Sequence, residues 1–131
     1  MSTLIENYYA CFNAGDYEGM VALLSEDVVH EPSQGAPRVG KEQFRSFLAH
    51  MERCYAEKVI SPVIMSSGDG LHAAAEFMLT GNYLQTDDGL PPAHGQSYRL
   101  RVGAFFEISD GRISRVSNHY NLQDWLRQIG G

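Results

Sequence analysis

Leu4, Ile5, Tyr8, Cys11 and Phe12 recur at intervals of one helical turn, placing them on one stripe of a helix opened by the capping-box pattern Thr3-x-x-Glu6. Asn13-Ala14-Gly15 ends that stripe, and Asp16 is placed to cap a second, short helix with Met20, Leu23 and Leu24 facing inward. Asp27-Val28-Val29-His30-Glu31 is too short for a third helix and β-branched enough for a strand, which Pro32 stops. Two prolines and two glycines make residues 32–40 a loop. Lys41 to about Cys54 returns to helical spacing through Phe44, Phe47, Leu48 and Met51.

The period then drops to two. Strands are predicted over 59–65, 71–84, 96–108 and 112–120, with tight turns at Ser67-Gly68-Asp69-Gly70 and Ser109-Asp110-Gly111 and a longer loop over 85–95. Asn121 is placed to cap a last helical turn through Leu122, Trp125, Leu126 and Ile129. Helices followed by a run of strands specify an α+β fold in one domain over 1–131. The expected form is a cone-shaped α+β barrel: a curved antiparallel sheet wrapped around the N-terminal helices. Twisted strands closed by helices leave a conical cavity.

Composition adds the wall of that cavity and removes several function classes. Six Phe, seven Tyr and one Trp are enough for both a core and an apolar pocket. Phe12, Phe47, Phe77, Val102, Ala104, Phe106, Val116 and Tyr120 are the expected ligand contacts. A net charge of −6 without a basic block argues against nucleic acid. No uninterrupted apolar run exceeds five residues, the length of Met20 to Leu24, which is too short for a membrane span. The first residues carry no basic flank or apolar core of a secretory signal, so a cytoplasmic protein is expected, with Cys11 and Cys54 as reduced thiols. The five histidines are scattered, and none is read as standing at metal-ligand spacing from a Cys or another His. Neither a metal nor a cofactor is expected.

The segments Tyr8-x6-Gly15-Asp16-Tyr17-Glu18, Ser25 through Pro32, Gly40-Lys41, Phe105 through Ile113 and Tyr120 through Gly130 together resemble the nuclear transport factor 2-like superfamily. Within it they are similar to the ketosteroid isomerase and SnoaL-like polyketide cyclase group. The resemblance implies proton transfer on a small hydrophobic carbonyl compound, steroid- or polyketide-like, by a cofactor-free isomerase or cyclase. It places the catalytic base at Glu31 and a first oxyanion donor at Tyr8. The second donor position falls on Ala104, whose side chain cannot donate a hydrogen bond. Asn118, on the face of the last strand shared by Val116 and Tyr120, is the replacement donor in this reading. Epoxide-hydrolase relatives use an Arg-x-Asp pair where this chain has Arg99-x-Arg101. The bare residue at 104 also fits a different role, in which the same cone holds a hydrophobic molecule without transforming it. Phe105 and Ile113, expected on the outer sheet face, would support a homodimer through that face.

Overall fold

The computed structural model describes residues 3–130; Met1, Ser2 and Gly131, the ends of the expected 1–131 domain, lie outside the described residues. Two helices come first, α1 (Thr3–Ala14) and α2 (Tyr17–Ala22), followed by β1 (Leu24–Glu31), β2 (Arg38–Val39) and α3 (Lys41–Cys54). Four long strands follow, β3 (Tyr55–Ser66), β4 (His72–Tyr83), β5 (Ser97–Ser109) and β6 (Arg112–Tyr120), and α4 (Leu122–Gly130) closes the chain. Asp16 caps α2 by accepting the Gly19 N–H at 2.9 Å, and Asn121 does the same for Asp124 in α4 at 3.1 Å.

The six strands form one curved sheet in the order β2-β1-β6-β5-β4-β3. The sheet does not close into a barrel, since β2 and β3 remain as edges. Pairing is antiparallel except where β1 runs parallel to β6. The core sits on the concave side. Tyr98, Leu100, Val102, Ala104 and Phe106 of β5 alternate inward and are buried, as are Ala73, Ala75, Phe77 and Tyr83 of β4.

Two bulges adjust which side chains face the core. In β6, Glu107 pairs with Arg115 while Ile108 pairs with Ile113, so Ser114 is one extra residue. It reverses the alternation, turning Ile113 into the core with no exposure while Arg115 faces outward. Ile113 is therefore not the outer-face residue that strict alternation suggests. Phe105 does lie outside, 51% exposed, with its ring 5.6 Å from that of His119. A second shift, between Ile60 and Val63, falls at Ser61 (φ 50°) and Pro62 on edge strand β3.

Candidate functional site

Between the helices and the concave face of the sheet lies a cavity of about 420 Å³, a volume that suits a small organic ligand. Its wall is rich in aromatic side chains, with Tyr8, Tyr9 and Phe12 from α1, Phe44 and Phe47 from α3, Phe77 from β4 and Trp125 from α4. Polar side chains interrupt that wall, among them His30, Arg38, Glu57, Asp87, Asp88 and Asn118.

Glu57, the third residue of β3, lines the cavity, as do Asp87 and Asp88 of the loop between β4 and β5. Burial pushes the Glu57 carboxyl up to about 7, against the opposing pull of a short hydrogen bond donated by the Tyr98 hydroxyl. Tyr98 reaches it from two strands away. Glu57 pairs with Gly81 of β4, and Gly81 pairs with Tyr98 of β5, so the ring lies across a position with no side chain.

His30 faces the cavity from the end of β1, 2% exposed, with its ring 4.9 Å from that of Phe44 and 4.4 Å from that of Phe47. Burial, with a smaller contribution from the Arg38 charge, holds its pKa down to about 4, so the ring is neutral near pH 7. Among the described residues, its Nδ1 and the Tyr9 hydroxyl are buried without a hydrogen-bond partner. Buried polar atoms are rarely left that way. A ligand oxygen or hydroxyl entering the cavity is the kind of group that would satisfy them.

Glu31 does not reach the cavity. On β1 the inward residues are Val28 and His30, and Val29 and Glu31 point to the other face. There Glu31 accepts a 2.7 Å hydrogen bond from Arg115, which also binds Glu107 at 2.7 Å. The physical reason is strand parity: a shift of one residue exchanges the faces. Tyr8 lines the cavity as expected, though it also packs edge-on against Phe106 with ring centres 5.6 Å apart. Asn118 stands where the cavity meets a shallow outer groove, and its backbone carbonyl accepts from Ser33.

Of the expected ligand contacts, Phe12, Phe47, Phe77, Val102 and Tyr120 line the cavity. Ala104, Phe106 and Val116 do not; they are 0–1% exposed in solid core. Tyr8 and Tyr9 pack edge-on against Phe106 and separate it from the ligand space. The residue reading missed Tyr9, His30 and Glu57. Gly81, a glycine inside an otherwise apolar strand, was the available signal for the last of these.

A second polar group borders the cavity. His50 Nε2 lies 2.9 Å from Asp87 Oδ1, and the Tyr55 hydroxyl donates to Asp87 Oδ2 at 2.7 Å. His50 and Cys54 are four residues apart on α3, so the reading that no histidine stands at ligand spacing from a cysteine is corrected by the helix itself.

Residues 5–116 match the SnoaL-like domain family. The chain belongs to that family. The SnoaL-like chain is 52% identical to a candidate polyketide cyclase from Pseudomonas putida KT2440, with 96% of this chain and 95% of that one covered and a TM-score of 0.94. A candidate polyketide cyclase from Silicibacter sp. TM1040 is 50% identical over 98% of this chain and 93% of its own, with a TM-score of 0.95. An epoxide hydrolase from Mycobacterium tuberculosis shares the SnoaL-like fold at 17% identity, with coverage of 96% and 81% and a TM-score of 0.75. Among the described residues, no helix is long and apolar enough to cross a membrane.

Proposed function

We propose that this SnoaL-like domain takes a small, uncharged, largely apolar carbonyl compound into its cavity and moves a proton on it without a cofactor, as an isomerase or cyclase. The observation that carries this reading is Glu57, a carboxyl poised near pH 7 in an aromatic wall and held in place by Tyr98. A general base works best when its pKa lies near the working pH, because the same group then returns the proton as an acid. Glu57 takes a proton from the carbon next to the ligand carbonyl, and the C–H electron pair moves into the enolate. The carboxylic acid so formed gives the proton back at another carbon, which isomerises the ligand. Alternatively, the enolate carbon attacks a second carbonyl and the acid protonates the new alkoxide, which closes a ring.

Tyr9 and neutral His30 supply donors for the enolate oxygen. They take the place given to Tyr8, Asn118 and the bare Ala104 position in the residue reading. The high identity to two candidate polyketide cyclases supports a polyketide-like ligand over a steroid. Exposed Phe105, Val63 and Met65 on the outer sheet face support a homodimer through that face, which sedimentation equilibrium checks.

The test is Glu57→Gln, assayed beside Glu31→Gln on a panel of β,γ-unsaturated ketones and linear poly-β-ketones. The first variant should lose at least a hundredfold in kcat while keeping ligand affinity, within the usual contribution of general-base catalysis. The second should keep wild-type turnover and lose no more than about 1 kcal/mol of stability, as expected for a partly exposed ion pair. Undiminished turnover in Glu57→Gln overturns the reading. Tight binding with no turnover by the wild type favours the alternative, a carrier of the same ligand class, for which the aromatic cavity itself is the supporting observation.

A further inference from the structure

The His50–Cys54–Asp87 cluster is not used by the proton-transfer chemistry, and its donor set has a chemistry of its own. His50 and Cys54 project from one face of α3, and Asp87 meets them from the loop between β4 and β5. The ring nitrogen, the thiol sulfur and a carboxylate oxygen all lie within 4.8 Å of one another. We propose that His50, Cys54 and Asp87 form a three-ligand site for a divalent transition-metal ion of the zinc type, with its fourth position open to the cavity that His50 and Asp87 line.

Four features support it. A nitrogen, a thiolate sulfur and a carboxylate oxygen suit a borderline ion such as Zn²⁺, and the sulfur argues against Mg²⁺ or Ca²⁺. Tetrahedral bonds of about 2.0–2.3 Å hold ligand atoms about 3.3–3.8 Å apart, so side-chain rotation of roughly 1 Å closes the site. Cys54 is the last residue of α3, where the carbonyl end of the helix favours a cation. Tyr55 donates to Asp87 Oδ2 and the Asp88 N–H donates to Oδ1 at 2.9 Å, outer hydrogen bonds of the kind that orient a carboxylate ligand, with Oδ1 directed at His50. On binding, the Cys54 S–H bond breaks, its electron pair becomes the sulfur–metal bond and the proton leaves to solvent. One proton is released per ion, and no redox partner is required.

Cobalt(II) titrated into the purified full chain is the test. The expected result is one equivalent bound, with a near-ultraviolet thiolate-to-cobalt charge-transfer band, visible bands of a four-coordinate ion, and displacement of both by Zn²⁺. Cys54→Ser should abolish the charge-transfer band and Cys11→Ser should keep it. Because Cys54 is buried, His50→Gln at the half-exposed position is the second variant, and it should weaken cobalt at least tenfold with an unchanged circular dichroism spectrum. Tyr55→Phe should weaken it about tenfold through the outer hydrogen bond alone. A wild type without the thiolate band, or His50→Gln with unchanged affinity, overturns the site. Neither result bears on Glu57, whose turnover is assayed without added metal.

Discussion

Glu57, Gly81 and Tyr98 sit on one line across β3, β4 and β5. Neighbouring strands are about 4.8 Å apart, so the Tyr98 ring must cross a whole strand to reach Glu57. A Cβ at position 81 would stand 2.5 Å from the Tyr98 hydroxyl, with ring carbons equally crowded. Gly81→Ala should therefore push the ring off the carboxylate, at a cost of about 1–3 kcal/mol for overpacking. The lost hydrogen bond is the one that lowers the Glu57 pKa, so the carboxyl should titrate above its present value of about 7. Tyr98→Phe should produce the same upward shift without the clash. Carbon-detected NMR titration of the Glu57 carboxyl reads both, and an unmoved midpoint in both variants would show that Tyr98 does not tune it. At this scale the sequence is half legible. The isolated glycine in a strand marks a close approach, but nothing local says which ring approaches or which acid it meets. Whether Glu31 or His30 faces the cavity depends on the phase of one short strand, fixed by pairing with β2 and with β6 far along the chain.

Long periodic elements were readable because their signal is local. The period near 3.6 gives α1 and α3, the period of two gives β4, β5 and β6, and the caps at Asp16 and Asn121 fall where the residues predict. The two-residue β2 was not readable, because it exists only through pairing with Val29 and His30. The bulge at Ser114 was equally silent and moved Ile113 into the core. How α4 is held shows another non-local device. β6 ends at Tyr120, opposite Val102, and leaves Arg99 of β5 without a neighbouring strand on that side. Gln128 takes its place, accepting the Arg99 N–H at 2.8 Å and donating to the Arg99 carbonyl at 2.9 Å. Gln128→Ala removes both bonds at an exposed site and should cost about 1–2 kcal/mol. Hydrogen exchange should then quicken in α4 and leave the centre of β4 and β5 protected, because the opening is local. Since Trp125 carries part of the cavity wall, ligand release should quicken with it. Unchanged α4 exchange would mean that the Trp125 and Ile129 packing alone holds the helix.

At the scale of the whole molecule, burial disfavours charge of either sign at His30 and Glu57, and this makes an unusual demand on stability. His30 has a native pKa near 4 against an ordinary 6.5, so the unfolded chain binds its proton first and stability falls as pH drops from 6.5 towards 4. Glu57 has a native pKa near 7 against an ordinary 4.5, so the native state binds its proton first. Its burial penalty is full above pH 7 and is relieved as pH drops towards 4.5. Each shift corresponds to about 3 kcal/mol, with opposite sign over nearly the same window. The two contributions should cancel between pH 6.5 and 4.5, leaving wild-type stability almost flat there. Single substitutions should uncover each half. Glu57→Gln should lose stability steadily below pH 6.5, and His30→Leu should gain it as pH falls from 7. Urea midpoints at constant m-value, collected for the three proteins from pH 7.5 to 4.5, measure this directly. Parallel profiles would mean that water reaches both groups and that the cavity is not the low-dielectric space its aromatic wall implies. Diverging profiles would tie stability and ligand choice to one cause: a site that keeps a histidine neutral at pH 7 and resists ionisation of a glutamate up to about pH 7 selects an uncharged ligand by the same desolvation that sets their protonation.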